Sequence, residues 1–327
     1  MTAAHKTQNI LIFGATGLIG RHITNAILDN AASFAGRIAI FTSSNTLWTK
    51  SDEIDALKAR GVEIIGGDIT SADAVNEAYT GFDTVVSCVG RPVIQNQLLL
   101  IQLAERHPDV KRFFPSEYGT DIDYDASSAS EKPHQQKLKV RAALARVSKL
   151  QYTYVVTGPY GDGDSVLYLA ASGPENEARG TFDVKRKRAV LLGDGNGRIS
   201  LTTMRDVGKL VVAALQHPEE ARNRALRVNS FTATPKEILA EFERQTGGQP
   251  WSVAFTSLAQ LEELEREAWA KSDPKAGGLT LRRIWTSGRT LYDARDNGLI
   301  GMEDGVETLE SAVRQAIKVQ TEVEDEE

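Results

Sequence analysis

The stretch that most constrains the fold runs from Asn9 to Gly20, near the start of the chain. Its apolar residues 10–13 suit a buried strand, and Gly14, Gly17 and Gly20 then interrupt the apolar run at regular spacing. Apolar side chains recur at helical spacing after the last of these glycines, as far as residue 27. The sequence therefore predicts a strand, a tight turn and the start of a helix.

This glycine turn has the properties that a pyrophosphate site requires. The first glycine lets the chain turn, the second lets the backbone approach the phosphates, and the third lets the helix pack closely against the sheet. Free N–H groups and the positive end of the helix dipole then face the phosphates. We predict that a nicotinamide dinucleotide binds here, the alternative being a purely structural turn. The predicted contacts are Gly14, Thr16, Gly17, Leu18, Ile19 and Gly20.

Length and composition restrict the function classes. A chain of 327 residues with a hydrophobic fraction of 41% suits one large α/β domain with a smaller appended part. The net charge of −6 argues against broad nucleic-acid binding, and no apolar run reaches the length of a membrane span. A cytoplasmic location is expected, because the first eight residues lack the apolar core of a secretory signal.

Cysteine usage is equally informative. Cys88 is the only cysteine, which excludes an internal disulfide and any multi-cysteine metal site, and no metal is expected. The sequence leaves the oligomeric state open, a homodimer included.

Strand-like and helix-like segments alternate up to residue 158. The six predicted strands lie at about 10–13, 38–41, 62–65, 84–89, 112–116 and 152–157. This alternation predicts an α/β fold with a Rossmann-type, doubly wound parallel sheet. The predicted domains are a dinucleotide-binding domain at 1–158 and a smaller, interleaved substrate-binding region at 159–327, with parts of about 201–230 returning to the first. The basic stretch 185–188 is interpreted as a solvated hairpin rather than a nucleic-acid contact.

The end of the second strand bears on the choice of cofactor. An acid there would hold the free ribose hydroxyls of NAD, but no acid stands between Phe41 and Lys50. Thr42, Ser43 and Ser44 are neutral donors instead, which favours NADP over NAD.

Other residues extend the predicted cofactor site. Arg37 or Lys50 is a candidate to reach an additional phosphate, and an ordinary polar loop is the alternative. Asp68 could contact the adenine or cap a turn. Val89 and Gly90 end the fourth strand, where a parallel sheet faces its ligand.

The segment from Lys111 to Gly119, Lys-Arg-Phe-Phe-Pro-Ser-Glu-Tyr-Gly, resembles the isoflavone reductase and phenylcoumaran benzylic ether reductase group of the NmrA-like atypical short-chain dehydrogenases. The resemblance covers about residues 9 to 230. Further motifs that carry it are Gly14-Ala-Thr-Gly-Leu-Ile-Gly20, Gly67-Asp68, Ser87-Cys-Val-Gly90, Lys137-Leu-Lys-Val-Arg141, Tyr152-Thr-Tyr154 and Gly193-Asp-Gly-Asn196.

The resemblance implies a Rossmann domain, an NADPH cofactor and hydride delivery to a small phenolic, conjugated or benzylic carbon. It also implies that Lys137 is the catalytic lysine. Two departures stand out: Thr42-Ser-Ser44 stands where family members usually carry an arginine after the second strand, and the segment 158–164 is less aromatic than in the family.

The proton chemistry has more than one candidate. The usual dehydrogenase pair, a tyrosine four residues before the lysine, is missing, because Pro133 occupies that position. His134 lies three residues before Lys137, so it could share a helix face and act as proton donor, or only hydrogen-bond locally. The substrate is expected between the ends of strands four to six and the segment 158–169, with Tyr160 and Tyr168 as walls.

Two function hypotheses follow. The first is an NADPH-dependent reductase of a small conjugated, benzylic or phenolic metabolite in secondary metabolism. The second is a non-catalytic, NmrA-like regulator that senses a dinucleotide and binds a protein partner.

Overall fold

The structure, a computed structural model, describes residues 4–162 and 168–321. In chain order its strands are β1 (Ile10–Phe13), β2 (Ile38–Thr42), β3 (Glu63–Gly66), β4 (Thr84–Ser87), β5 (Arg112–Phe114), β6 (Gln151–Val156), β7 (Thr181–Asp183), β8 (Arg188–Leu192), β9 (Ile199–Leu201), β10 (Arg224–Arg227), β11 (Phe231–Ala233) and β12 (Ser252–Thr256). Its α-helices are α1 (Gly20–Asp29), α2 (Ser44–Thr49), α3 (Ser51–Ala59), α4 (Ala72–Ala78), α5 (Gln97–Arg106), α6 (Gln135–Leu144), α7 (Met204–Gln216), α8 (Pro218–Ala221), α9 (Pro235–Gln245), α10 (Leu258–Ala270), α11 (Ala276–Thr286) and α12 (Leu309–Thr321).

A parallel sheet organises the described part of the chain. Seven of the described strands form it, in the order β3-β2-β1-β4-β5-β6-β10. Each neighbouring pair is parallel. The four residues of the central strand β1 have no solvent exposure, as expected for a strand covered on both faces. The predicted Rossmann-type sheet is confirmed, and β10 adds a strand from beyond residue 201 beside β6.

Helices cover both faces of the sheet. One apolar core includes side chains of α1, α3 and α7, and the other includes side chains of α4, α5 and α6. This arrangement is the doubly wound layering that alternating strands and helices produce.

A third apolar core lies in the second half of the chain. The antiparallel pair β7 and β8 and the parallel pair β8 and β12 belong to this region. Phe182 and Phe242 stack there at 5.1 Å between ring centroids, and α11 contributes Ile284 and Trp285. The basic stretch 185–188 forms the turn between β7 and β8, with Lys187 in the left-handed region at φ 49.

The sequence also predicts helices at about 53–60 and 93–107, and the structure differs from both predictions. The helix expected at about 93–107 begins with a 3₁₀ segment, Arg91–Asn96, in which the N–H of Val93 donates to the carbonyl of Gly90 at 3.1 Å. Pro92 has no N–H to donate, which suits the first turn but not the interior of a helix. The helix expected at 53–60 is preceded by α2, and the two meet at Lys50.

No helix within residues 4–162 and 168–321 combines the length and hydropathy that a bilayer span requires.

Gly208 brings α7 into close contact with α1, the helix that follows the glycine turn. A Cβ at this position would lie 2.5 Å from the carbonyl oxygen of His22 and 2.8 Å from the Cβ of Ala26. The two backbones therefore approach more closely than any larger residue at this position permits.

We expect Gly208→Ala to lower the free energy of unfolding. Alanine improves helix propensity by about 1 kcal/mol, but overpacking of this kind costs about 1–3 kcal/mol. Urea denaturation measures the net effect. Gly277→Ala in α11 is the control, because its Cβ would make only an ordinary contact of 3.9 Å with Pro133. A Gly208→Ala protein at least as stable as the Gly277→Ala protein would contradict the packing argument.

Candidate active site

A groove of about 760 Å³ crosses the carboxyl ends of β1 and β2. Gly14 turns the chain at the end of β1 with φ +75, and a Cβ there would lie 2.7 Å from the carbonyl oxygen of Cys88. A Cβ at Gly17 would lie 3.2 Å from the carbonyl oxygen of Gly14. The turn is therefore a bare backbone cradle, which fits the close approach of a pyrophosphate.

The predicted cofactor residues divide between this groove and a second cavity. Gly14, Thr16, Thr42, Ser43, Ser44 and Asp68 line the groove, Gly17, Leu18 and Ile19 line the second cavity, and Val89 and Gly90 line both.

Gly20 lies apart from both sets. It is buried, and a Cβ there would meet the carbonyl oxygen of Gly14 at 2.0 Å, so its place is in the packing of α1 against the turn.

Local hydrogen bonds organise the outer end of the groove. The Ser43 hydroxyl accepts from the N–H of Thr46 and caps α2. The Asp68 carboxylate accepts from the N–H and hydroxyl of Thr70, both at 2.8 Å, and these bonds lower the pKa of that carboxyl. Asp68 therefore makes the predicted turn and still borders the groove.

The structure separates the two candidate phosphate ligands. Lys50 reaches the glycine turn, where its Nζ donates to the carbonyl of Thr16 at 2.5 Å. Arg37 directly precedes β2 and therefore lies at the amino ends of the strands, where it pairs with Glu63 at 2.6 Å. Arg37 as a phosphate ligand is therefore wrong, since the groove lies at the carboxyl ends of the strands.

The second cavity, of about 420 Å³, continues from the groove at Val89 and Gly90. Residues after β5 and β6 also line it, as expected for the substrate site, together with Tyr160 and Tyr168. Residues 163–167 of the segment 158–169, which is expected beside the substrate, lie outside the described residues.

Lys137 extends from the first turns of α6 into this cavity. Its Nζ donates to the backbone carbonyl of Glu117 at 2.7 Å. Burial lowers the pKa of Lys137 from 10.5 to about 8, against the opposing influence of the Glu117 carboxylate. The ammonium therefore predominates at neutral pH and releases its proton more readily than an exposed lysine does.

A buried ionic network fixes the acceptor of this lysine. The Glu117 carboxylate is 1% exposed and accepts from Arg141 at 2.9 and 3.2 Å. Asp121 lies 3.5 Å from Arg141 and 2.8 Å from Arg227 at the end of β10. Strand β10 thus braces the segment that positions Lys137.

His134 lies just before α6 and is 2% exposed. It lines the same cavity as Lys137, and the backbone of Ser128 is close enough to interact with its ring. Burial lowers the pKa of His134 to about 4, so the ring is neutral at neutral pH. A neutral imidazole here can exchange a hydrogen bond with a ligand, and the Ser128 backbone is a local partner that opposes the lowering of its pKa.

The two predicted wall tyrosines differ in hydrogen bonding. The Tyr160 hydroxyl donates to the backbone carbonyl of Tyr118. The Tyr168 hydroxyl is buried and has no partner among the described residues.

Sequence reasoning missed the contribution of α11. Leu281, Arg282 and Trp285 of this helix line the cavity, and the Trp285 indole donates to the Thr120 hydroxyl at 3.0 Å. Arg283, the next residue, instead pairs with Glu131 and Glu265. The local sequence does not distinguish these two neighbouring arginines. Only the tertiary packing of α11 decides which of them faces the cavity.

Comparisons with known proteins agree with this geometry. The sequence model described as the NmrA-like family matches residues 6–264. A phenylcoumaran benzylic ether reductase of Pinus taeda is 32% identical over 240 residues, which are 73% of this chain and 75% of that protein. An isoflavone reductase of Medicago sativa is 30% identical over 256 residues, which are 74% and 77% of the two chains.

A solved structure shares nearly the whole fold. Leucoanthocyanidin reductase of Vitis vinifera, in a binary complex with NADPH, superposes with a TM-score of 0.78 at 21% identity and covers 95% of this chain and 99% of that one.

The family match establishes that this chain belongs to the NmrA-like family. Together with the two reductase relatives, it identifies the chain as an oxidoreductase of the isoflavone reductase-like type.

Proposed function

We propose that this protein is an NADPH-dependent reductase that transfers hydride to a small conjugated, benzylic or phenolic compound of secondary metabolism. The observation that carries the proposal is the half-buried ammonium of Lys137 in a cavity continuous with the glycine-turn groove. A positive charge beside a hydride-accepting site stabilises the negative charge that develops on a conjugated oxygen.

The reductase relatives support this proposal over a non-catalytic sensor. Both are named for phenolic substrates, a phenylcoumaran benzylic ether and an isoflavone. The structural neighbour from Vitis vinifera binds NADPH, which supports the same cofactor here.

The residues along the groove fit the parts of this cofactor. The backbone cradle at Gly14 and Gly17 suits the pyrophosphate, and Thr42 and Ser43 suit the adenosine phosphate. Lys50 does not line the groove itself, but its Nζ reaches the carbonyl of Thr16, which does, so it is a candidate for the same phosphate. Val89 and Gly90, where groove and cavity meet, suit the nicotinamide end. When bound, the dinucleotide supplies the hydride, and the protein supplies position and charge.

Lys137 carries the polar part of the proposed reaction. Its ammonium binds the substrate oxygen, stabilises the charge on that oxygen and can deliver a proton to it. The carbonyl of Glu117 holds the Nζ in place, and His134 is available for a second hydrogen bond to the substrate.

We expect NADPH to bind more tightly than NADH, with Lys50 as the source of part of the difference. A charge-assisted hydrogen bond contributes about 1.5–3 kcal/mol, so Lys50→Ala should weaken NADPH binding by roughly tenfold or more. NADH binding should change little, because NADH lacks the additional phosphate.

Fluorescence titration with both cofactors tests the expectation. Arg37→Ala is the matched control, because it removes a positive charge at the amino ends of the strands, opposite the groove. Equal losses for NADPH and NADH in the Lys50→Ala protein would rule out a phosphate contact.

Loss of the Lys137 ammonium should reduce turnover. Removing one group that stabilises transition-state charge typically costs about 10²–10³-fold, so Lys137→Ala should lose turnover by that order and keep its NADPH affinity. NADPH oxidation with a panel of enones, quinone methides and benzylic ethers provides the assay. Lys139→Ala, which removes an exposed lysine of the same helix, should stay near wild type. A smaller loss is expected for His134→Ala.

The pH profile gives an independent test of this role. Because the ammonium is the active form, turnover should fall as pH rises through about 8, the value to which burial lowers the pKa of Lys137. This decline should be absent from the residual activity of Lys137→Ala. An identical decline in that variant would assign it to another group.

A further inference from the structure

Arg282 is a buried arginine in the wall of the substrate cavity. It is 6% exposed and lies against two aromatic rings of that wall. Its guanidinium carbon lies 4.5 Å from the ring centroid of Tyr168 and 4.7 Å from that of Trp285. The side chain is therefore held in one place by packing.

No counter-charge for this arginine is present in the described structure. Its Nη1 is buried without a hydrogen-bond partner, and the described lining of the cavity contains Arg91, Lys137 and Arg282 but no carboxylate. A buried charge without a partner is costly and is usually satisfied by an ion pair or a ligand.

Two other arginines of the described residues, one buried and one half-buried, have partners. Arg112, 2% exposed, donates to the Thr7 hydroxyl and to the carbonyls of Ala214 and Leu215. Arg283, beside Arg282 in the sequence, pairs with two carboxylates. Of these three arginines, only the one that borders the cavity has a guanidinium without a hydrogen-bond partner among the described residues.

Tyr168 adds a second unused donor at the same place. It is 1% exposed, and its hydroxyl has no partner among the described residues. A planar guanidinium and a neighbouring hydroxyl together match the oxygens of a carboxylate.

We propose that Arg282 and Tyr168 form a carboxylate-binding subsite, and that the substrate is a conjugated or aromatic carboxylic acid. This inference rests on the reductase function proposed above and names the substrate class of that site. Burial lowers the pKa of Arg282 to about 10, so the guanidinium remains charged at neutral pH and a bound carboxylate neutralises it.

The test compares an acid with its neutral analogue. Protein saturated with NADP⁺, so that no hydride can be transferred, is titrated calorimetrically with 4-hydroxycinnamate and with 4-hydroxycinnamamide. A desolvated bond between charged groups corresponds to a preference for the acid on the order of 10- to 100-fold. Benzoate and benzamide serve as a smaller pair.

The preference should be lost in Arg282→Gln and retained in Arg314→Gln, which removes an exposed arginine of α12. Tyr168→Phe keeps the ring that stacks on the guanidinium and loses only the hydroxyl. Its affinity for the acid should fall by roughly tenfold, with the amide little affected, so this variant tests the subsite even if Arg282→Gln does not fold.

Equal affinity for acid and amide, or no binding of either pair up to the solubility limit, would overturn the inference. So would a preference that persists in Arg282→Gln and disappears in Lys137→Gln, because the anion would then bind at the lysine. NADPH binding, measured on the same proteins, separates the two proposals. A wild-type protein that does not bind NADPH contradicts the reductase function, whereas one that binds NADPH but shows no acid preference contradicts only the subsite.

Discussion

The contact between the glycine turn and the end of β4 is the constraint on which both cavities depend. The N–H of Cys88 donates to the carbonyl of Phe13 at 2.7 Å, and the bare α-carbon of Gly14 faces the carbonyl of Cys88. A side chain at Gly14 would separate β1 from β4 at the edge where groove and cavity meet. The close parallel pairing of these strands therefore shapes the groove and places the second cavity at one end of it.

A second dependence connects distant parts of the chain to Lys137. The carbonyl that holds its Nζ belongs to Glu117, whose carboxylate is fixed by Arg141. The network continues through Asp121 to Arg227 on β10. A buried network of this kind is stabilising only when every charged group has a hydrogen-bonding or ionic partner. Because Arg227 on β10 is the partner of Asp121, this late strand supports the geometry of the site as well as the sheet.

The local sequence predicted the fold and the groove side of the site, but not the contribution of α11. Strand and helix periodicity, the glycine turn and the motif around Lys137 are short-range signals, and the structure places these residues along one groove and cavity. Arg282 and Trp285 come from a helix more than a hundred residues later, and only tertiary packing decides that Arg282 borders the cavity while Arg283 pairs with acids. Arg37 was misplaced for a different reason: it precedes β2, so chain order already puts it at the amino end of that strand, away from the carboxyl ends that border the groove.

This division also explains how one scaffold can serve different substrates. The glycine turn is held by its contact with the end of β4, and Glu117 is held by its ion pair with Arg141, so changes at either would disturb the packing of the sheet. Helix α11 reaches the same cavity from the third apolar core and is attached to the segment after β5 by the bond between Trp285 and Thr120. Side chains on its cavity face can therefore change in charge and size without altering the sheet. Arg282 lies on that face, so the charge of this wall of the cavity comes from a helix outside the parallel sheet.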